Sequence, residues 1–462
     1  MIKRLKKTQI TVLIATWLFI LILFIACIRT LNDEYLFAYG CNWLLLGFII
    51  TYIFLKRNVV LFEPNILFSL YYLLVPITFL FMLLTNFEYS IFIKKGYTIP
   101  FDRLINISAF IFLGGYILTV VAYELFKLRK NIIIKSTYNL SNLTLNVAIV
   151  MCLVVGTIQF IYNIGEYGDA IFERGYVRLG EAVKAGGGST FFYNFLDYGV
   201  YTYLYKIFKN NQKISFSFII LTVYAFVVKI SNGRIYLTIG FILIVIGLVY
   251  FKQIENNACK NYLWILTLGA LATTSIFIYF YRQPVDFTIE NFFKCIVGRG
   301  NTPNIAILPE ILDEFGKSHS FLYGRPLLSV LTSILPSAFR YNFYTANYIR
   351  FELYGELNTG GLPATIQGDL YANFGYFGVV IGMFLLGAFM ALLYNIFRKR
   401  GSFWFSVIYL QINIHFIFLI SKWEMDFFPL TIIFYMFMYI CFLKVLDVIL
   451  QSIRLKNTKY QT

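Results

Sequence analysis

Two arginines in a polar stretch between apolar segments, Arg174 and Arg178, are the first candidates for chemistry in this chain. Their spacing would place both on one face of a helix. Paired guanidiniums suit a phosphate group, because each can hold two oxygens at once and stays charged at any physiological pH. The same pair could instead anchor the chain to lipid headgroups, and the sequence leaves both interpretations open.

A third arginine, Arg234, stands where an apolar segment begins, after the short connection Lys229-Ile-Ser-Asn-Gly. Ser231 and Asn232 are favourable N-cap residues, so Arg234 is predicted to fall in the first turn of the next helix. The helix dipole disfavours a cation at that position. An anion is therefore expected close to Arg234, unless the arginine only anchors the helix end at the membrane surface.

Two further arginines, Arg299 and Arg325, each lie at one end of a predicted amphipathic helix within the long polar run 282–369. Apolar residues recur at helical spacing in both helices. They are Ile289, Phe292, Phe293, Ile296 and Val297 in the first helix, and Leu327, Val330, Leu331, Ile334 and Leu335 in the second. Such helices lie on a bilayer rather than crossing it. Both arginines are therefore predicted near headgroup level.

Three carboxylates are candidate general bases: Asp197, Glu356 and Asp369. Asp197 falls inside a predicted span, where a carboxylate is costly unless it faces a partner or a wet cavity. It could serve catalysis, or it could simply pair with an arginine. Glu356 lies in the long polar run, and Asp369 ends that run at the mouth of the next predicted span.

Arginines and carboxylates together suit a lipid-linked diphosphate substrate. The arginines can neutralise the diphosphate and stabilise it as a leaving group, while one carboxylate deprotonates an attacking sugar hydroxyl as general base. A transporter of acidic lipids would need similar arginines, so the residues alone leave the reaction open.

Membrane helices must position these residues, because hydrophobic residues make up 59% of the chain and charged residues only 13%. Apolar runs longer than about 18 residues predict bilayer-spanning helices. The expected fold is an all-α polytopic membrane protein. Its twelve predicted spans lie near residues 10–28, 36–55, 65–84, 104–126, 142–163, 191–208, 214–230, 235–251, 261–281, 370–396, 403–420 and 427–445.

The net charge of +16 could suggest nucleic-acid binding until it is divided between the two sides of the membrane. With a cytoplasmic N-terminus, the Lys and Arg excess falls on the even-numbered connections and the two tails. This is the positive-inside pattern, so no nucleic-acid partner is expected. Both termini are predicted to be cytoplasmic, and the long polar run is predicted to face outward.

Three regions follow along the chain. Residues 1–281 hold the first nine spans with a smaller outer loop at 164–190, residues 282–369 form the large periplasmic loop, and residues 370–462 hold the last three spans and a cytoplasmic tail.

Metal and cofactor chemistry finds little support in the sequence. The six cysteines show no paired spacing, which predicts neither a disulfide framework nor a zinc site. His319 and His415 are the only two histidines, and no Asp-x-Asp motif occurs to hold a metal-bound nucleotide sugar. We expect a metal-independent protein without a cofactor.

Three motifs carry a resemblance to a known family. They are Ser231-Asn-Gly-Arg234 at the start of a span, Leu335-Pro-Ser-Ala-Phe339 in the long loop, and Leu362-Pro-Ala-Thr-Ile-Gln-Gly-Asp-Leu-Tyr-Ala-Asn-Phe-Gly-Tyr-Phe-Gly378 at the next junction. With about twelve spans and one large late outer loop, the chain resembles the O-antigen or oligosaccharide repeat-unit polymerases of the Wzy type. The small residues Gly375, Gly378, Gly382 and Gly387 are predicted on or near one helical face, where they would permit close helix packing.

The resemblance implies a fold like that of the GT-C glycosyltransferases and an activity in the bacterial inner membrane. The enzyme would transfer a growing glycan from undecaprenyl diphosphate to the next lipid-linked repeat unit on the periplasmic face. Arg174, Arg178, Arg234, Arg299 and Arg325 would bind the diphosphates, with Asp369, Glu356 or Asp197 as base. Membrane lipids, a chain-length regulator and a flippase of the same pathway are the further partners that it implies.

Two alternatives compete with a polymerase. An O-antigen ligase shares the late loop and resembles a pattern with a functional histidine; His319 is the one histidine of this loop, but Val330 stands where the pattern expects a glycine. A lipid-linked oligosaccharide flippase would favour short loops, internal repeats and charges lining many spans. None of these features is evident in the sequence.

Overall fold

The computed structural model describes residues 18, 21–22, 33–56, 62–85, 99–128, 139–167, 194–231, 235–255, 305–355, 363–399, 402–417, 420, 425 and 428–459. Within these ranges the chain is helical, with no β-strand and an isolated bridge between Phe315 and His319. The all-α prediction is confirmed for this part of the chain.

The described α-helices are numbered in chain order. They are α1 (Leu36–Leu55), α2 (Pro64–Tyr72), α3 (Leu74–Thr85), α4 (Phe101–Phe126), α5 (Asn142–Tyr167), α6 (Asn194–Lys209), α7 (Phe216–Ser231), α8 (Ile235–Glu255), α9 (Ile307–Glu314), α10 (Arg325–Thr332), α11 (Thr345–Tyr354), α12 (Thr365–Lys399), α13 (Phe403–Ile412) and α14 (Leu430–Lys459).

Five of the described helices are long and apolar enough to cross a membrane: α1, α4, α5, α12 and α14. Shorter apolar helical stretches cover 64–80, 216–229, 240–253 and 403–417. These helices support a membrane protein, while the number of twelve spans stays a prediction. The predicted spans 10–28 and 261–281 lie outside the described residues, apart from residues 18, 21 and 22.

Helix α5 shows how such a span separates its two faces. Val150, Val154 and Ile158 recur every four residues and are exposed, which gives an apolar stripe suited to lipid. Its other side packs on α6. A Cβ placed on Gly156 would lie only 2.4 Å from the side chain of Leu196, so the glycine allows this close approach.

The described helices fall into two compact units. Unit 1 holds α1 to α4, α9 to α11 and α12 as far as Ile396, together with the described residues 416, 417, 420, 425 and 428. Unit 2 holds α5 to α8, α13 and α14.

Helix α4 is the packing centre of unit 1, because α1, α9 and α12 all contact it. A Cβ on Gly387 would lie 2.2 Å from the carbonyl oxygen of Thr119, so glycine is required where α12 crosses α4. The Thr119 hydroxyl then donates to Met383 O at 3.1 Å. Gly387 therefore serves close helix packing, as the sequence predicts.

A buried carboxylate ties together three helix ends in unit 1. Lys56 Nζ and Lys127 Nζ each lie 2.6 Å from Glu63 Oε1, and the Tyr123 hydroxyl donates to the same oxygen. Burial by itself raises the pKa of Glu63, but the two lysines outweigh it and hold that pKa below its ordinary value of 4.5. The end of α1, the start of α2 and the end of α4 are thereby fastened to one another.

Candidate functional site

The candidate site lies in unit 1, where the 305–355 segment contacts the first half of α12. Helix α12 is interrupted at Phe374 and at Gly375, whose φ of 65° and ψ of −155° belong to a region that only glycine enters readily. The break folds the first half of α12 back, so that Leu370 lies against Gly378 and Gly382. These two glycines thus accommodate a fold within α12 rather than a neighbouring helix.

Asp369 lies in this first half of α12 with none of its surface exposed. Its Oδ1 accepts a hydrogen bond from the Asn373 amide at 2.9 Å, and its Oδ2 accepts one from Met425 N at 2.8 Å. Asn373 Oδ1 in turn accepts a hydrogen bond from Gly324 N at 2.9 Å. The carboxylate therefore holds, through one amide side chain, the residue that precedes Arg325.

Backbone groups reinforce this junction. Helix interruption leaves carbonyl groups without intrahelical partners. Leu322 N donates to Ala372 O at 2.9 Å and Tyr323 N donates to Asn373 O at 3.3 Å, so the loop satisfies two carbonyls next to the break. The position of the loop before α10 is fixed by the shape of α12.

Arg325 is the first residue of α10 and is exposed. Gly324, with φ of 85°, makes the left-handed turn into this helix, and Pro326 suits its first turn. Arg325 N and Leu328 N already donate to Leu322 O and Gly324 O, and Pro326 has no N–H, so the guanidinium and the positive end of the helix dipole are what favour an anion at this place. The end of α10 that carries Arg325 can therefore receive a phosphate group.

His319 lies between two carboxylates of the same segment. Its Nδ1 is 2.9 Å from Glu352 Oε2 on α11, and its Nε2 is 3.5 Å from Glu314 Oε2 at the end of α9. The side chains of His319 and Glu352 are 26% and 20% exposed, whereas that of Glu314 is 3% exposed. A substrate could thus reach the imidazole and Glu352 without unfolding the segment.

Tyr348 links this pair to Arg325. It stands one helical turn before Glu352 on α11, so the two side chains share a face of that helix. Burial raises the pKa of Tyr348, as does the neighbouring Glu352 carboxylate, while the charge of Arg325 acts in the opposite direction. Arg325 is therefore near enough to act electrostatically on the Tyr348 hydroxyl.

The site as a whole combines an exposed arginine with an imidazole–carboxylate pair. If Nδ1, 2.9 Å from Glu352 Oε2, carries the imidazole proton, Nε2 is the nitrogen of His319 that can accept another, and it faces Glu314 Oε2 at 3.5 Å. A carboxylate that orients an imidazole in this way is a recurring arrangement in general acid–base catalysis. The arrangement can stabilise a departing phosphate and take up a proton within one segment.

Helix α9, next to the site, carries three buried acidic residues. Glu310, Asp313 and Glu314 are each at most 2% exposed, although the helix packs against apolar α4 and against α11. Asp313 Oδ1 accepts hydrogen bonds from Ile99 N at 3.1 Å and from Lys317 Nζ at 3.3 Å. These contacts tie the 305–355 segment to the start of α4.

The structure describes three of the eight predicted site residues. Arg325 and Asp369 belong to unit 1 and are joined through Asn373 and Gly324, whereas Asp197 belongs to unit 2. The other five, for which the predictions remain as stated, lie outside the described residues; they are Arg174, Arg178, Arg234, Arg299 and Glu356.

Asp197 has a cationic partner, as one of the two interpretations of this buried carboxylate requires. Its Oδ2 lies 2.5 Å from Lys229 Nζ, and both residues are at least 90% buried. Asp197 is in the first turn of α6, where the helix dipole favours a negative charge. Lys229 is in the last turn of α7, where the dipole favours a positive charge. The partner is thus a lysine rather than the expected arginine.

Sequence reasoning missed the pairing of His319 with Glu352. The one available signal was the spacing of Tyr348 and Glu352, which places both on one face of a helix. Helix α9, α11 and the contact with Glu314 were not predicted, because short helices in a polar run show little periodicity.

Among the described residues, no group of three His, Cys, Asp or Glu side chains is arranged to hold a metal ion. Comparisons with known proteins add no relative, since no family model, no curated protein and no solved structure matches the chain.

Proposed function

We propose that this chain is an O-antigen polymerase, a metal-independent glycosyltransferase of the bacterial inner membrane. It joins undecaprenyl-diphosphate-linked oligosaccharide repeat units on the periplasmic face and releases undecaprenyl diphosphate. The observation that carries the proposal is that Arg325 and the His319–Glu352 pair share one segment, which is fastened to a helix of membrane-spanning length.

The chemistry assigns one task to each group. The acceptor sugar hydroxyl attacks the anomeric carbon of the donor glycan, the bond from that carbon to the diphosphate oxygen breaks, and the diphosphate leaves with the electron pair. Arg325 and the start of α10 stabilise the charge that builds up on the diphosphate. His319 Nε2 takes the hydroxyl proton while Glu352 holds Nδ1.

Asp369 and Asp197 are less suited to that proton transfer in the described arrangement. Both oxygens of Asp369 already accept hydrogen bonds within the fold, and Asp197 is engaged by Lys229. In this proposal Asp369 positions Arg325 through Asn373, and Glu356 remains a candidate base.

A ligase is the second candidate, and the His319–Glu352 pair is the observation that favours it. Polymerase and ligase break the same bond and differ in the acceptor, which is a lipid-linked repeat unit for one and the lipopolysaccharide core for the other. The site residues would then be shared, and only the product distinguishes the two.

Surface lipopolysaccharide from a strain lacking this chain, compared with a complemented strain, decides between them. We expect core that carries a single repeat unit, because export and attachment continue without a polymerase. Core without any repeat unit would instead indicate a ligase or a flippase, and a normal polymer ladder would reject all three.

Substitutions then test the site. Arg325→Lys keeps the charge but loses the bidentate hydrogen bonding to phosphate oxygens. We therefore expect polymer formation to fall by about tenfold, equivalent to roughly 1.4 kcal/mol. His319→Gln, which can still hydrogen-bond Glu352, should abolish it. Arg340→Lys in the same segment is the matched control: Arg340 Nε donates to Leu335 O at an exposed position outside the site, so polymer formation should stay normal. Normal polymer from both site variants would refute the assignment.

A further inference from the structure

An extended stretch of four residues before α11, 341–344, is hydrogen-bonded to one face of α10, and we call this stretch the strap. Tyr341 N donates to Thr332 Oγ1 at 3.1 Å, and Phe343 N donates to Ser329 Oγ at 3.3 Å. Ser329 and Thr332 are one turn apart and share a face of α10. The strap is therefore held by two hydroxyl groups of the neighbouring helix.

Three aromatic rings form a row along this strap. The rings of Tyr341 and Phe343 are parallel within 5°, with centroids 6.3 Å apart, as expected for alternate residues of an extended chain. The ring of Phe343 is 5.4 Å from that of Tyr348 on α11. Tyr341 is 38% exposed, so its end of the row is open to solvent.

The row ends at the candidate site. Tyr348, its last ring, stands one turn before Glu352 on the same face of α11, and Glu352 Oε2 lies 2.9 Å from His319 Nδ1. A ligand that lies along the rings would therefore have one end next to His319 and Glu352.

The opposite face of α10 separates this row from the expected bilayer contact. Leu327 and Leu331 are one turn apart and exposed, and they lie across the helix from Ser329 and Thr332. Only aliphatic side chains occupy that face, whereas the row offers two phenol hydroxyls. If Leu327 and Leu331 face the bilayer, the strap faces away from it.

We propose that the row Tyr341, Phe343 and Tyr348 is a subsite that binds the glycan chain, an inference that rests on the proposed function. The apolar C–H faces of sugar rings pack against aromatic faces, and tyrosine adds a hydroxyl that can bond to sugar hydroxyls. Rings in a row suit successive sugars of one chain. The subsite would retain a growing polymer between additions.

Polymer length in the complemented strain tests the subsite. We expect the double variant Tyr341→Ala/Phe343→Ala to shorten the mean polymer several-fold while single repeat units are still joined. Tyr341→Phe, which keeps the ring, should give near-normal length. Phe339→Ala removes an aromatic side chain outside the row that is even more exposed than Tyr341, 73% against 38%, and should change nothing. Normal polymer length in the double variant would overturn the inference. Equal shortening by Phe339→Ala would also overturn it, because it would indicate that these aromatic residues act through membrane contact.

A direct binding measurement covers the case in which the double variant fails to fold. The probe is lipid-free polysaccharide released from the complemented strain, added to the purified full chain in nanodiscs and followed by saturation-transfer NMR. Tyr341→Ala should weaken binding by about tenfold, or roughly 1.4 kcal/mol; unchanged binding would reject the subsite. Failure of the proposed function is distinct, because the strain lacking the chain would then show either normal polymer or core without any repeat unit.

Discussion

Replacement of Asp369 by asparagine tests the hydrogen-bonded chain that joins α12 to Arg325. In the native structure the carboxylate accepts from both Asn373 and Met425, and Asn373 accepts from Gly324. An asparagine at this position can accept only one of the first two bonds, because its amide nitrogen is a donor. Rotation of the Asn373 amide would restore that contact but would turn a donor towards Gly324 N. One donor therefore stays unpaired in every arrangement, either on the buried Asn373 amide or on the partly buried backbone of Gly324 or Met425.

The expected cost follows from that unpaired donor. A buried polar group without a partner destabilises a fold by about 1–3 kcal/mol. Asp369→Ala removes both acceptors and should cost roughly twice as much as Asp369→Asn. The measurement is thermal unfolding of the detergent-solubilised chain, with a lower midpoint for Asp369→Asn and a still lower one for Asp369→Ala.

The exchanged double variant Asp369→Asn/Asn373→Asp is the decisive comparison. In this variant the carboxylate at position 373 can accept from Gly324 N and from the amide nitrogen introduced at position 369. The carbonyl oxygen of the introduced amide accepts from Met425 N, so these three bonds return. The native bond from Asn373 Nδ2 to the backbone carbonyl of residue 369, 2.8 Å long, is lost, because a carboxylate cannot donate. We therefore expect part of the lost stability to return. The reasoning would be refuted if Asp369→Asn unfolded at the native temperature, or if the exchange brought no recovery.

Activity of the exchanged variant separates positioning from catalysis. If Asp369 only positions Arg325, polymer formation should return together with stability. If Asp369 were the base itself, the exchanged variant would be stable but inactive, because the carboxylate would stand one helical turn away.

Three further predictions concern stability. Gly375→Ala should cost about 1–3 kcal/mol, since alanine avoids that backbone conformation, whereas Gly114→Ala, with open space around it, should not lower the unfolding midpoint. Lys229→Met should cost about 3–5 kcal/mol by leaving Asp197 buried and unpaired, and adding Asp197→Leu should recover much of the loss; equal midpoints for the single and double variants would contradict this. Because its folded pKa is lowered, Glu63 stabilises the fold fully above pH 4.5, and this contribution is lost as the pH falls through the folded value. Glu63→Gln should therefore show less acid-dependent loss in a midpoint series against pH.

Local properties of the sequence were enough to predict most helices and the position of Arg325 at the start of α10. Apolar runs predict the positions of α1, α4, α5 and α14, because membrane length and helical rise fix how many apolar residues a span needs. Periodicity also predicts α10 with Arg325 at its start, although Val330 on its apolar side is buried rather than exposed. The need of Asp197 for a partner follows from the cost of burying a charge.

The identity of each partner was decided only by the tertiary structure. Nothing in the spacing of Asp197 and Lys229, or of His319 and Glu352, indicates that they meet, because such pairs depend on how separate helices pack. The break in α12 is a second example: Gly375 could equally be a packing glycine until the loop 322–324 is seen to satisfy the carbonyls beside it. The sequence determined which segments are helices and where charge is costly, and the packing of those helices determined which residues form a site.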